Sequence, residues 1–177
     1  MRNDAIWQSQ QCWGRELTAA DAKDLVILFN DPLCLEYIGD KGIRTEQQAT
    51  TYISQQQHSH NQQGYAMWAI SAGQNSFAGV AGIVKRPFLA FPDIGYALMP
   101  NYRDQGLAAR AATAITQLAS AQLGIPKLLG LCQYNHRASI AVLRACGMRL
   151  QAELDVPSFG IKDCVIYASH GKICAES

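Results

Sequence analysis

Two short stretches carry side chains and backbone that could handle an anionic ligand. The first is Arg103-Asp104-Gln105-Gly106-Leu107-Ala108, which lies between a strand ending at Pro100 and a long amphipathic pattern beginning at Gly106. A helix start exposes unpartnered N–H groups and carries a partial positive charge of roughly half an elementary charge. Gly106 has no Cβ and Ala108 is small, so a phosphate or pyrophosphate could approach the backbone closely. Arg103 stands at the mouth of this loop, and Arg110 falls in the first turns of the helix. A cation there opposes the helix dipole by about 0.3–1 kcal/mol unless an anion is bound, so Arg110 otherwise reads as a solvated surface residue. The second stretch is Asn135-His136-Arg137-Ala138-Ser139, which opens a helix directly after an apolar strand. Asn135 suits an N-cap, and Ser139 lies one turn further along on the same side. A third candidate is Asp93, at the start of the strand ending at Met99. It could act as a base or could simply close a turn after Pro92.

These residues need elements to hold them. Thr18 with Asp21 three residues on predicts a capped helix over Ala19 to Phe29, stopped by Asn30-Asp31-Pro32. A short helical turn follows over Leu33 to Ile38. Thr45 then caps a helix from Glu46 to about Gln57, leaving Gln55 to Gln63 as a solvated helix end and loop. Strands are predicted over Tyr65 to Ser71 and Phe77 to Lys85, joined by the turn at Gly73-Gln74-Asn75, and over Ile94 to Met99. The clearest helix runs from Gly106 to Gly124, with Leu107, Ala111, Ala114, Ile115, Leu118 and Ala119 at helical spacing. Lys127 to Gln133 is a nearly continuous apolar run, as in a strand covered on both faces. A helix over His136 to Cys146 ends at Gly147, and strands over Met148 to Glu153 and Cys164 to Ser169 complete the chain. This order predicts an α/β fold, mixed, with helices on both faces of a central sheet.

Composition narrows the function classes. The 177 residues predict one domain spanning 1–177, and 49% apolar side chains supply a sizeable core. Fifteen basic against fourteen acidic residues give a net charge of +1, without the basic footprint of a general nucleic-acid binder. No apolar run approaches the ~20 residues of a membrane span, and Met1 to Glu16 lacks the apolar centre of an export signal. Cys12, Cys34, Cys132, Cys146, Cys164 and Cys174 show neither C-x-x-C pairs nor His at zinc-ligand intervals, so no metal site is expected. They read as buried free thiols in a reducing cytoplasm. His58 and His60, two residues apart, do not share a helix face. Gly79 and Gly82 are not followed by Lys-Ser/Thr, which removes a P-loop.

In combination the motifs resemble the GNAT N-acetyltransferase superfamily, and within it the ribosomal-protein N-terminal acetyltransferase-like group. The family's pyrophosphate pattern Q/R-x-x-G-x-G/A is matched by Arg103 to Ala108, and its E-I-G-Y-x-L-x-P strand by Asp93 to Pro100. The Asn/Ser helix and its terminal Gly-Phe are matched by Asn135, Ser139 and Gly147-Met148. Thr18-Ala19-Ala20-Asp21 and Asn30-Asp31-Pro32 also fit, and the similarity covers about Thr18 to Ser169 in order. Three positions depart from the pattern: Asp93 for the usual Glu, Arg110 for the Glu of A-T-E-A, and Met148 for Phe.

The resemblance implies a mostly antiparallel sheet whose two central strands splay, with acetyl-CoA in the gap. Backbone groups of Ala97, Leu98 and Met99 would then pair with the pantetheine arm, and amides of Arg103, Asp104, Gln105, Gly106, Leu107 and Ala108 would take the pyrophosphate. Asn135 would bond the pantetheine. Ser139, or more weakly Tyr134, would protonate the departing thiolate. Asp93 would be the base, reaching the amine through a water because its side chain is one methylene short of Glu. An N–H near Leu98 would stabilise the oxyanion. The first helices and the Val156 to Lys162 loop would wall the acceptor site, with Trp68, Tyr37 and Phe159 as lining candidates. The expected partners are acetyl-CoA and a primary amine, with no nucleic acid and no membrane; a homodimer is compatible with the sequence. The competing reading is an acyl-CoA-binding sensor or structural module that does not turn over. A Rossmann domain lacks its G-x-G-x-x-G, and a serine hydrolase lacks G-x-S-x-G.

Overall fold

The computed structural model describes residues 4–169. Strands β1 (Trp7–Ser9) and β2 (Cys12–Arg15) form a hairpin ahead of the first helices. A 3-10 turn (Ala19–Asp21) leads into α1 (Ala22–Phe29), followed by α2 (Pro32–Tyr37) and α3 (Glu46–Gln63). Then come β3 (Met67–Ala72), β4 (Ser76–Val84), β5 (Asp93–Leu98), α4 (Leu107–Ala121), β6 (Leu129–Gln133), α5 (Arg137–Ala145), β7 (Arg149–Val156) and β8 (Ile161–Ala168). Among the described residues the strands make one sheet in the order β1-β2-β3-β4-β5-β6-β8-β7. Every neighbouring pair is antiparallel except β5 and β6.

The mixed α/β fold with a mostly antiparallel sheet and helices on both faces is therefore as expected. Its splay is visible in the register. β4 pairs with β5 along the whole strand, from Val84↔Asp93 to Gly79↔Leu98. β6 pairs with β5 only at Asp93↔Leu129 and Ile94↔Gly130. From Gly95 onward the two central strands separate.

Each face has its own core. Leu107, Ala111, Ile115 and Leu118 of α4 and Leu143 of α5 pack with Trp68, Ile70, Ile83 and Ile94. Leu25, Leu28 and Phe29 of α1 and Ala49 and Ile53 of α3 cover Ala69, Val80 and Ala97 on the other face. Each fully buried Leu or Ile contributes about 1.5–3 kcal/mol over leaving it exposed. A third cluster at the β6–β8 end joins Leu89, Leu129 and Ala168, with Phe88 and Phe91 from the β4–β5 loop beside it. Gly79 and Gly82 have a packing role: a Cβ on either would run into backbone, of Ala97 in β5 and of Ala66 before β3 respectively.

Three element expectations change. The Gln55 to Gln63 stretch is not a loop; α3 continues to Gln63 and is closed by Gly64 in the left-handed conformation (φ +78°). Its polar side chains do structural work that hydrophobic periodicity does not register. Gln57 Nε2 donates to Leu17 O (2.8 Å), and Gln56 Oε1 accepts from Met67 N–H (3.1 Å). The β1–β2 hairpin was not anticipated in the polar N-terminal stretch. It is held by edge pairing and by Trp7 and Cys12 in the main core. Asn135 is not the N-cap of α5: His136 occupies that position, and the Asn135 side chain makes no capping bond.

Candidate functional site

From the end of β5 at Leu98, a 3-10 turn (Pro100–Tyr102) and the loop 103–106 lead the chain to the start of α4. Gly106 is the N-cap of α4 at φ +72°, and Asp104 is also left-handed at φ +58°. This pair turns the chain so that consecutive N–H groups converge, an arrangement that cups anions. No side chain caps the helix. The first backbone bond runs from Arg110 N–H to Gly106 O, and the N–H groups of Gly106, Leu107 and Ala108 have no acceptor among the described residues. Leu107 sends its side chain into the core while Gly106 lies exposed, so the cup opens outward.

Arg110 is not simply solvated. Its Nη1 donates to Gln105 O at 2.6 Å, and the guanidinium lies beside Gly106, 3.2 Å from where a Cβ would stand. A positive charge is thus folded over the cup. Arg103 is committed to structure: its Nε donates to Leu98 O (3.1 Å) and its Nη2 to Asp31 at the start of α2. Gln105 Nε2 braces the loop through Asn101 O (2.7 Å).

Register fixes which backbone groups face the gap. Met99 N–H bonds to Ala78 O, so by antiparallel alternation Asp93, Gly95 and Ala97 also turn their backbone groups to β4. Ile94, Tyr96 and Leu98 turn theirs toward β6, and Leu129 N–H to Pro92 O gives the same phase from the other side. The expectation that Ala97, Leu98 and Met99 all face the gap is corrected accordingly. Leu98 does, Tyr96 replaces Ala97 and Met99, and Met99 O is taken by Tyr102 N–H.

Ser139 of α5 is buried at 7% exposure, and its Oγ lies 2.8 Å from Tyr96 Oη. Tyr96 Oη also reaches Ser139 O at 3.2 Å. Burial pushes the Tyr96 phenol well above its usual range, although the Ser139 bond acts the other way, so the phenol keeps its proton. Burial likewise raises the Cys132 thiol, against a hydrogen bond from Ser139. Tyr96, Ser139 and Cys132 form a protonated polar cluster on the α5 side of the gap. Tyr96 was not among the anticipated residues, because the phase of the β5 alternation is set by its pairing with β4. Tyr134, the alternative donor, is 62% exposed and stands apart from the cluster. Asn135 is exposed, and its side chain has no hydrogen-bond partner among the described residues, as a ligand contact requires.

Asp93 sits where the central strands part, on the opposite face. It is 1% exposed, and both its oxygens accept from Arg86 Nε, at 2.9 and 3.0 Å. Burial raises its pKa above the usual carboxylate range despite Arg86 and the Lys41 ammonium. An amine therefore has no direct path to this carboxylate. Of the acceptor-wall candidates, Trp68 is corrected to the main core. Tyr37 stacks on His136 (3.8 Å, 11°), bridging α2 to the β6 side of the gap. Phe159 packs against Phe88 at 4.8 Å. The free thiols Cys12, Cys34, Cys132, Cys146 and Cys164 all have pKa values raised by burial. Cys174 lies outside the described residues. Among those residues no trio of metal-ligating side chains occurs and no helix is long and apolar enough to cross a membrane.

Comparison with known proteins bears on this geometry. Residues 15–149 match the acetyltransferase (GNAT) domain family, and the chain belongs to that family. An acetyltransferase from Agrobacterium tumefaciens str. C58 superposes with a TM-score of 0.78 at 19% identity, over 96% of this chain and 97% of the other. The ribosomal alpha-N-protein acetyltransferase RimL in complex with coenzyme A gives 0.76 at 19% identity, covering 92% and 95%. The self-immunity acetyltransferase MccE, in complex with acetyl-CoA and AMP, gives 0.75 at 16% identity, covering 92% and 93%.

Proposed function

We propose that the chain, as a single domain over 1–177, transfers an acetyl group from acetyl-CoA to a primary amine by direct attack. The observation that carries this reading is the junction at Gly106. Its unpartnered amides stand at the head of a gap toward which the N–H groups of Tyr96 and Leu98 turn without an acceptor among the described residues, Leu98 O being taken by Arg103 Nε. The pyrophosphate would rest on the amides of Asp104 to Ala108, the expected Arg103 amide being taken by Pro100 O at 3.2 Å, with the Arg110 guanidinium adding charge. From Leu98 back to Ile94 is four residues, about 13 Å of strand, along which the pantetheine arm would run. Leu98 N–H would hold it, Tyr96 N–H, the gap-facing amide nearest the parting point, would stabilise the oxyanion, and Asn135 would hold the arm from α5.

The thioester would then lie near the point where β5 and β6 part, between two different environments. On one side Ser139, backed by the Tyr96 phenol, supplies a proton to the departing thiolate. On the other, Asp93 draws the amine proton through a water, since its own oxygens are buried against Arg86. That such folds hold coenzyme A in RimL and acetyl-CoA in MccE supports the choice of donor. A cytoplasmic setting fits the free buried thiols.

Incubating the protein with acetyl-CoA and a panel of amines while following free thiol tests the proposal. Amine-dependent thiol release is expected. Binding of acetyl-CoA without release under any amine would instead favour the acyl-CoA sensor.

A further inference from the structure

On the face opposite Ser139, two cationic side chains beside Asp93 have donors that no ion pair satisfies among the described residues. Arg86 gives only its Nε to Asp93. Its two terminal nitrogens have no acceptor among the described residues, and the side chain is 32% exposed. Lys41, exposed on the loop between α2 and α3, has no hydrogen-bonding or ion-pairing partner there either. Apart from Asp93, no carboxylate among the described residues forms an ion pair with either cation. Asp31 holds Arg103, and Asp40 holds Arg44 and Gly42 N–H. Across the gap, Asp155 accepts from Asp163 N–H within the β7–β8 hairpin. Two cations therefore face one buried anion, next to the place assigned to the thioester.

We propose that the acceptor amine carries an oxyanion of its own, a carboxylate or phosphate close to the amine, which binds the terminal nitrogens of Arg86 and the Lys41 ammonium. The planar guanidinium matches two oxygens of such a group at once, and the ammonium adds a second point of charge. Although Lys41 is exposed as a whole, desolvation of its ammonium and the neighbouring Arg86 both disfavour its charged form, while Asp93 favours it, so an arriving anion relieves the repulsion. The inference rests on the acetyl-transfer reading and adds the acceptor class to it.

Matched acceptors test it: amino acids against their amides, and O-phosphoethanolamine against ethanolamine. The amide has the more readily deprotonated amine, so a preference for the acid cannot come from amine reactivity. At least tenfold higher kcat/KM is expected for one of the anionic partners, and which pair shows it separates carboxylate from phosphate. Lys41→Glu, on an exposed loop, should cut that preference at least tenfold, chiefly through KM. Equal rates within both pairs, or a preference untouched by K41E, overturn the proposal. Calorimetric binding of the N-acetylated acid and of N-acetylated phosphoethanolamine in the presence of coenzyme A provides a readout without turnover. Binding of either that K41E abolishes upholds the anion site even if no amine reacts, in which case acetyl transfer is what fails. No binding of either rejects the site.

Discussion

At Gly106 the backbone adopts a conformation that costs a side-chain-bearing residue about 1–2 kcal/mol, and the space beside it holds only the mobile end of Arg110. Gly106→Val should therefore fold, yet its side chain would fill the ground where an anion approaches. A tenfold or greater loss of coenzyme A affinity by calorimetry is expected, with the circular dichroism spectrum retained; unchanged affinity would move the phosphate site elsewhere. Ser139→Ala and Tyr96→Phe should leave that affinity within about twofold. Each should lower kcat by about 10²-fold, the scale of one general acid. The double variant should cost little more than either alone, because the two hydroxyls form one 2.8 Å pair. Additive losses would show that they act separately. Gly106 and Ser139 could be found from the sequence because each sits at a helix start with a recognisable spacing. Tyr96 could not, because its significance depends on which way a strand's alternation falls, and that is set by pairing with β4. The burial of Asp93 was equally hidden, since Arg86 comes from a loop with no periodic pattern.

Among the elements, the entry to α1 depends on one buried ion pair. Asp21 accepts from Arg15 Nη1 at 2.8 Å and Nη2 at 2.7 Å, and from Thr18 N–H at 2.8 Å. Burial acts to raise the Asp21 pKa, but these bonds outweigh it and hold the carboxyl below its usual range. Its stabilisation is thus present above the ordinary carboxylate pKa of about 4 and is lost as pH falls through the lower folded value. Asp93 has the opposite sign: its raised pKa favours folding at low pH, and that contribution fades as pH climbs through the raised value. Asp21→Asn should cost about 3 kcal/mol in urea unfolding at pH 7, and should flatten the acid limb of a Tm-against-pH curve. An unaltered acid limb would place the acid-sensitive group elsewhere. The sequence showed the Thr18/Asp21 cap but not Arg15, which belongs to the unforeseen hairpin. Strands of three and four residues are too short for alternation to register.

For the molecule as a whole, the apolar pattern was enough to place α4, α5 and the strands around them, and so the mixed sheet. It was not enough to show where β5 and β6 part, because that depends on two residue pairs and no more. Filling the gap should stabilise the fold. At a hundred times its dissociation constant, acetyl-CoA would add about 2.7 kcal/mol. For a chain of 177 residues that is a rise in Tm of about 5–11 °C. Differential scanning fluorimetry should show this rise in the wild type, with much less in Gly106→Val. No rise at saturating ligand would mean that the gap does not take it up.

The early parting of the two central strands leaves a mark that deuterium can read. In the empty protein, the amides of Tyr96 and Leu98 should exchange quickly while those of Ala97 and Met99, one step away, stay slow. Neighbours along a single strand would thus alternate in labelling, and coenzyme A should erase the contrast by slowing the fast pair alone.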